Sequence, residues 1–200
     1  MNQVQPKQKI KRVYLSYYDG IDLQKVNAVV AAINNILQQA EVEEFYFLLS
    51  SNGGHVDAGI TLYNHLRSIP QKIVMHNMGS IDSIATVVFM AGDERYAQPN
   101  STFLFHGVEL TTGGPLSLSR SKIIELVSSI DADQQKIIGI LTERTTVTRK
   151  ELNKLFSEGS KKDLTFAKDK GIIHDIVTLS VEKDVPLISF NFQQINPQQG

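Results

Sequence analysis

Two hundred residues, 42% apolar and 20% charged, suffice for one α/β domain with a sizeable core and are too few for two comfortable ones. With 20 basic side chains against 21 acidic ones, the formal charge of -1 gives no global attraction to nucleic acid or to an anionic membrane, so neither is expected as a partner. The absence of cysteine excludes disulfides, a thiol nucleophile and thiolate metal sites, which leaves chemistry to Ser, His, Asp, Glu or Lys.

A single domain over 1–200 is expected, with flexible tails at 1–11 and 193–200 (QQINPQQG). No apolar run of signal-peptide or membrane-spanning length follows the polar N-terminal segment, and a cytoplasmic location is the expectation. Residues 12–18 (RVYLSYY) read as a first strand. Beyond the Asp19-Gly20 turn, Leu23, Val26, Val30, Ile33 and Leu37 fall at helical spacing. Residues 45–50 (FYFLLS) form the nearly continuous apolar run of a strand covered on both faces, the signature of parallel sheet.

After Asn52-Gly53-Gly54, a helix carries Ile60, Tyr63 and Leu66 on one side and stops at Pro70. Residues 72–76 (KIVMH) predict a short buried strand, Gly79 and Ser80 a turn, and 83–90 an apolar helix ending near Gly92. This rhythm implies right-handed crossovers stacking in one sense. A short strand follows at 102–105. Gly113-Gly114-Pro115 then introduces a long helix over about 117–143, whose Leu116, Ile123, Val127, Ile130, Ile137 and Leu141 form a stripe suited to another helix or subunit. The stripe could simply cover this domain's own core, but at roughly 40 Å the helix would outreach a small domain, which puts self-association slightly ahead. Thr148 and Asp163 cap two further helices, and 172–177 reads as the last strand.

Three features bear on chemistry: a Gly-Gly pair at a strand end, Ser83 at a helix start and His106 at another strand end. Singly, each has an ordinary structural reading as a turn, a cap or a hydrogen-bonded histidine. Together they are the parts of an acyl-transfer device. Main-chain N–H groups and a helix start face an oxyanion, and a neutral imidazole takes the serine proton.

Ser50-Ser51-Asn52-Gly53-Gly54-His55-Val56 resembles the strand and Ser-Pro-Gly-Gly-Ser-Val loop of the proteolytic subunit of Clp protease. Gly79-Ser80-Ile81-Asp82-Ser83-Ile84-Ala85 is similar to that family's nucleophile segment. Ala91-Gly92, Gln98-Pro99-Asn100-Ser101, Phe105-His106 and Gly171-Ile172-Ile173 resemble further elements, so the likeness runs from about Arg12 to Val177. It implies the crotonase-like spiral of ββα units with a long handle helix through which rings of subunits meet. It also implies a serine peptidase with Ser83 as nucleophile, His106 as general base and then acid, and the N–H groups of Gly54 and Ile84 as oxyanion hole. A peptide or unfolded-protein substrate, a homo-oligomer and an ATP-dependent unfoldase partner go with the family; no cofactor or metal does.

The likeness fails at particular residues. Gly159 stands where the family's triad aspartate should fall, which points to a Ser83–His106 dyad, rescue by a neighbouring acid such as Glu158, or an inactive subunit. Asp82 replaces a small apolar residue and is read as a helix cap. Gly107-Val108 replaces Gln-Pro, and the N-terminus differs from the family's axial-loop segment. His55, His65, His76 and His174 have no spacing that builds a metal site and read as structural or surface groups, and Arg149-Lys150 and Lys161-Lys162 read as solvated faces. A crotonase-fold acyl-CoA enzyme, using the same two amides for a thioester enolate, is the competing enzymatic reading; a non-catalytic ring subunit is the third.

Overall fold

Strand β1 (Gln8–Tyr18) starts four residues ahead of the patterned stretch, because Gln8 to Arg12 are already in parallel register with Ala40 to Glu44 of β2 (Ala40–Ser51). The computed structural model describes residues 7–109 and 117–192. The expected C-terminal tail, the Gly113-Gly114-Pro115 turn and Leu116 lie outside them.

Between these strands runs α1 (Leu23–Gln39), capped by Asp22, whose carboxylate accepts the Lys25 N–H at 2.9 Å. Its fully buried residues are Val26, Val29 and Ile33, while Leu23 is exposed, so the apolar stripe lies slightly round the helix from the expected one. Strand β2 is covered on both faces, as its composition requires. Phe45, Phe47 and Leu49 enter the main core, and Tyr46 and Leu48 join Tyr14 and Val74 on the other face beneath Leu179 and Val185. Burial of each such side chain is worth about 1.5–3 kcal/mol.

Helix α2 (Val56–Ser68) leads into β3 (Lys72–Asp82). The expected turn at Gly79 and Ser80 is absent: the strand runs on, because a second partner takes up its hydrogen bonds. Val74 to Asn77 pair with β4 (Glu94–Ala97), while Ser80 to Asp82 pair with β5 (Thr102–Leu104). The register against β2 shifts between Leu49 and Ser51, where the strand changes partner. This division of one long strand between two neighbours places the end of β3 beside the end of β5.

A short α3 (Ala85–Phe89) follows β3, and the long α4 (Arg120–Arg144) comes after β5, capped by Ser119. Then come α5 (Arg149–Glu158), β6 (Lys161–Lys162), α6 (Leu164–Asp169), β7 (Asp175–Ile176) and β8 (Leu187–Phe190). The sheet order is β6-β5-β3-β2-β1-β8, with β4 bridging β3 and β7; every pair is parallel except β5 with β6. The Lys161-Lys162 pair is therefore an edge strand, not merely a solvated face, and lysines suit such an edge because they discourage further pairing. Strands β4 and β8 had no sequence expectation, and the strand expected at 172–177 contracts to two residues.

The handle stripe divides into three parts. Ile137 and Leu141 are buried in this chain's own core, Ile130 is half-buried, and Ile123 and Val127 are exposed, with Leu118 and Ile124 beside them. Among the described residues no helix is long and apolar enough to cross a membrane.

Candidate active site

Ser83 occupies the turn from β3 into α3 with φ +57°, one of two non-glycine residues with positive φ among those described. It is not the helix cap the sequence suggested, because α3 starts only at Ala85 with Ile84 before it. Left-handed backbone costs about 1–2 kcal/mol for such a residue and must be held by its surroundings. The Ser83 N–H donates to the Leu104 carbonyl at 2.9 Å, and the Thr86 N–H and hydroxyl donate to the Ser83 carbonyl at 3.0 and 2.7 Å. Gly53 lies opposite, where a Cβ would come within 2.7 Å of the Ser83 Cβ. A strained strand-to-helix turn of this kind lifts a serine hydroxyl clear of its own helix.

Gly54 has φ +148°, and a Cβ there would stand 2.1 Å from the Ile21 carbonyl oxygen. The bridge that brings it so close uses its neighbours: the Ile21 N–H donates to Gly53 O at 2.7 Å, and the His55 N–H donates to Ile21 O at 2.8 Å. In a parallel bridge of this pattern the middle residue's own amide faces away. Neither the Gly54 N–H nor the Ile84 N–H donates to any partner among the described residues. Two unspent main-chain donors thus flank the serine turn.

His106 follows the end of β5. Its Nδ1 lies 2.8 Å from the Gly107 carbonyl oxygen, which can only accept, so Nδ1 carries the proton and Nε2 is the basic nitrogen. The Glu109 carboxylate stands 3.8 Å from the same Nδ1. Ser83, His106, Gly54 and Glu109 line one cavity of about 170 Å³, closed by Phe105, Ile137 and Phe156. A wider groove of about 440 Å³, between α2 and α4, also reaches Gly54 and Glu109 and has Val56, Val108 and Ile130 on its walls. No hydrogen bond joins the Ser83 hydroxyl to His106 Nε2 among the described residues.

The remaining acids are engaged elsewhere. Gly159 is the left-handed C-cap of α5, its N–H donating to Leu155 O at 3.0 Å, a place that favours glycine. The Glu158 carboxylate is held by Lys162 at 3.2 Å and Lys154 at 3.6 Å, and does not contact His106. Asp82 is the last residue of β3, not a helix cap; it accepts from the Ser80 hydroxyl at 2.5 Å and faces Lys161 at 3.9 Å. His76 is fully buried with the Tyr46 hydroxyl 2.9 Å from its Nδ1, and burial pushes its pKa down. His174 Nδ1 accepts the Arg95 N–H at 2.9 Å, burial pushes the pKa of half-buried His65 down, and His55 sits on the rim of the groove. Sequence reasoning missed Glu109. The signal was an acid three residues after the histidine, passed over because the family register directs attention to position 159.

Residues 4–180 match the family model for Clp protease. The ATP-dependent Clp protease proteolytic subunit 2 of Pseudomonas aeruginosa is 29% identical over 128 residues, 62% of this chain and 62% of that protein. The ATP-dependent Clp protease proteolytic subunit of Leuconostoc citreum is 27% identical over 173 residues, 78% of each chain. The chain thus spans a little under two thirds of the Pseudomonas protein and rather more of the Leuconostoc one. Among solved structures, a ClpP1 mutant from Listeria monocytogenes has the same fold, with a TM-score of 0.69 at 19% identity over 84% of this chain and 92% of that one. Because the family model runs over most of the chain, and the fold is shared with the Listeria structure, this chain belongs to the Clp protease family.

Proposed function

We propose that this chain is a serine-type endopeptidase subunit acting through a Ser83 acyl-enzyme within a homo-oligomeric assembly. The observation that carries the reading is the strained Ser83 turn opening into the cavity it shares with His106 and with the free amide of Gly54.

In the reaction, a peptide carbonyl enters with its oxygen toward the Gly54 and Ile84 amides. The Ser83 oxygen forms a bond to the carbonyl carbon as its proton passes to His106 Nε2, and the two N–H donors stabilise the resulting oxyanion. The same proton then goes to the leaving amine as the C–N bond breaks. Water repeats the sequence on the ester, and the acid product departs. Donors fixed by the Ile21 bridge and by the start of α3 need little reorganisation, which is where such sites gain most of their rate. The absence of a Ser83–His106 hydrogen bond fits a resting site that tightens on substrate. The groove between α2 and α4 is the place for an extended peptide. An ATP-dependent unfoldase partner belongs to this reading through the family.

A second reading, a non-catalytic ring subunit, is favoured by that same absent hydrogen bond together with the glycine at position 159. Fluorophosphonate labelling followed by peptide mapping separates the two. Adduct on Ser83, lost in Ser83→Ala along with peptide hydrolysis, supports the peptidase; a full-length folded protein that takes up no label supports the ring subunit. Binding of a CoA thioester without labelling would support the crotonase-type alternative.

A further inference from the structure

We propose that Glu109, together with the Gly107 carbonyl, replaces the family's triad aspartate as the positioning residue for His106; this rests on the Ser83–His106 reading above. Three observations lead there. Of the described residues lining the cavity, Glu109 is the only one besides His106 with an ionisable side chain. Its Oε1 lies 3.8 Å from His106 Nδ1, on the side of the ring away from the basic nitrogen. The competing carboxylates near the site are held by lysines: Glu158 by Lys162 and Lys154, Asp82 by Lys161, and Asp57 and Asp133 by Lys136.

The task of a triad acid divides into two parts, and here they fall to different groups. Fixing the tautomer requires an acceptor at hydrogen-bond distance from Nδ1, and the Gly107 carbonyl at 2.8 Å supplies it. Offsetting the imidazolium charge that appears when Nε2 takes the serine proton requires a full negative charge nearby, which a carbonyl dipole lacks and Glu109 has. The Nδ1 proton stays on nitrogen throughout. The acid therefore comes from the strand exit that carries the histidine itself, three residues on, instead of from the loop after α5. Glycine at position 159 becomes intelligible: with the charge supplied from the other side, that position is free to serve as a left-handed helix cap.

Glu109 is exposed, its side chain at 82% of full accessibility, so water and salt screen its field and the effect is far below the ten-thousand-fold of a buried triad acid. Removing the charge is expected to slow reaction about tenfold. The second-order rate of fluorophosphonate labelling at Ser83 is measured for the full chain, Glu109→Gln, Glu109→Asp and Ser83→Ala, at low salt and at about 1 M salt, where the Debye length is about 3 Å. Expected are a roughly tenfold slower Glu109→Gln with unchanged melting temperature, a Glu109→Asp that keeps most of the rate, and a wild type whose advantage shrinks in high salt. An unchanged rate in Glu109→Gln overturns the proposal alone. Equal losses in Glu109→Gln and Glu109→Asp without salt dependence also overturn it, since they mark a packing role. No label on wild-type Ser83 overturns the nucleophile assignment and this proposal together.

Discussion

The Gly107 amide donates to the Phe156 carbonyl at 3.2 Å, so the last turn of α5 holds the segment that carries His106. Phe156 contributes one of the carbonyls that a helix C-terminus leaves without an internal partner, and the residue after the histidine satisfies it. The same residue's carbonyl accepts from Nδ1, which makes Gly107 a relay from helix to imidazole.

Substitution at Gly107 separates that relay from simple bulk. A Cβ there meets Gln134 Oε1 at 3.5 Å and Phe156 O at 3.9 Å, ordinary contacts, so Gly107→Ala is expected to label at Ser83 nearly as wild type does. Gly107→Pro removes the N–H, costs about 1 kcal/mol for the lost bond and frees the histidine segment. Its labelling rate should fall at least tenfold, a comparison that chemical denaturation and labelling kinetics make directly.

Gly59 and Ile84 form a close contact behind the proposed oxyanion site. A Cβ on Gly59 would stand 2.4 Å from Ile84 Cγ1, and Ile84 is 1% exposed, so the added methyl has nowhere to go. Gly59→Ala is expected to destabilise by about 1–3 kcal/mol, the usual range for overpacking, and to slow turnover with little change in KM because it displaces the Ile84 amide. The double variant Gly59→Ala/Ile84→Ala should be less destabilised than the sum of the singles. Additive losses in urea unfolding would argue that the two side chains do not press on each other.

Much of this was legible from local pattern. The continuous apolar run at 45–50 announced a strand buried on both faces, and Thr148 and Asp163 marked helix starts that the structure keeps. Where sequence failed, a tertiary partner decided the outcome. Gly79 and Ser80 look like a turn until β5 is available to pair from Ser80 onward, and Lys161-Lys162 looks like exposed charge until Phe103 and Leu104 offer an edge. The site followed the same rule. Ser83, Gly54 and His106 stand out in the sequence as candidate residue types, whereas the positive φ of Ser83 and the approach of Glu109 to His106 depend on contacts that no local pattern encodes.

Oligomerisation should depend on the outer part of the handle only. Ile123 and Val127 are 47% and 52% exposed, while Ile130 lines the groove between α2 and α4 and Ile137 and Leu141 belong to the chain's own core. Ile123→Lys with Val127→Glu is expected to lower the assembled mass in sedimentation while leaving the subunit folded. Ile130→Ala should instead raise KM with the assembly intact. A wild type that sediments as a monomer would remove the handle from the account of function.

Acid should loosen the support behind His106 through Glu151. The Lys170 ammonium, and then the Thr148 N–H and hydroxyl, hold this carboxylate down to about 2 against an ordinary 4.5, as part of the capping box that starts α5. The folded pKa lies below the unfolded one, so the stabilisation is fully present above about pH 4.5 and is lost as pH falls toward 2. Urea midpoints measured across that window should fall less steeply in Glu151→Gln than in wild type. Parallel slopes would mean that the cap does not contribute.

Gly159→Asp tests the division of labour at the histidine most directly. A Cβ at this position meets nothing within 4 Å, so the side chain has room. The backbone φ of +57° costs aspartate about 1 kcal/mol, and less than most residues because its short polar side chain tolerates the left-handed region. In the wild-type background the new acid is expected to change Ser83 labelling little, since Glu109 already stands by the imidazole. In the Glu109→Gln background it should restore a large part of the lost rate if position 159 is, as the family resemblance implies, where the triad aspartate belongs. If Gly159→Asp accelerates both backgrounds by the same factor, the two acids act independently and His106 has no resident counter-charge in the native chain.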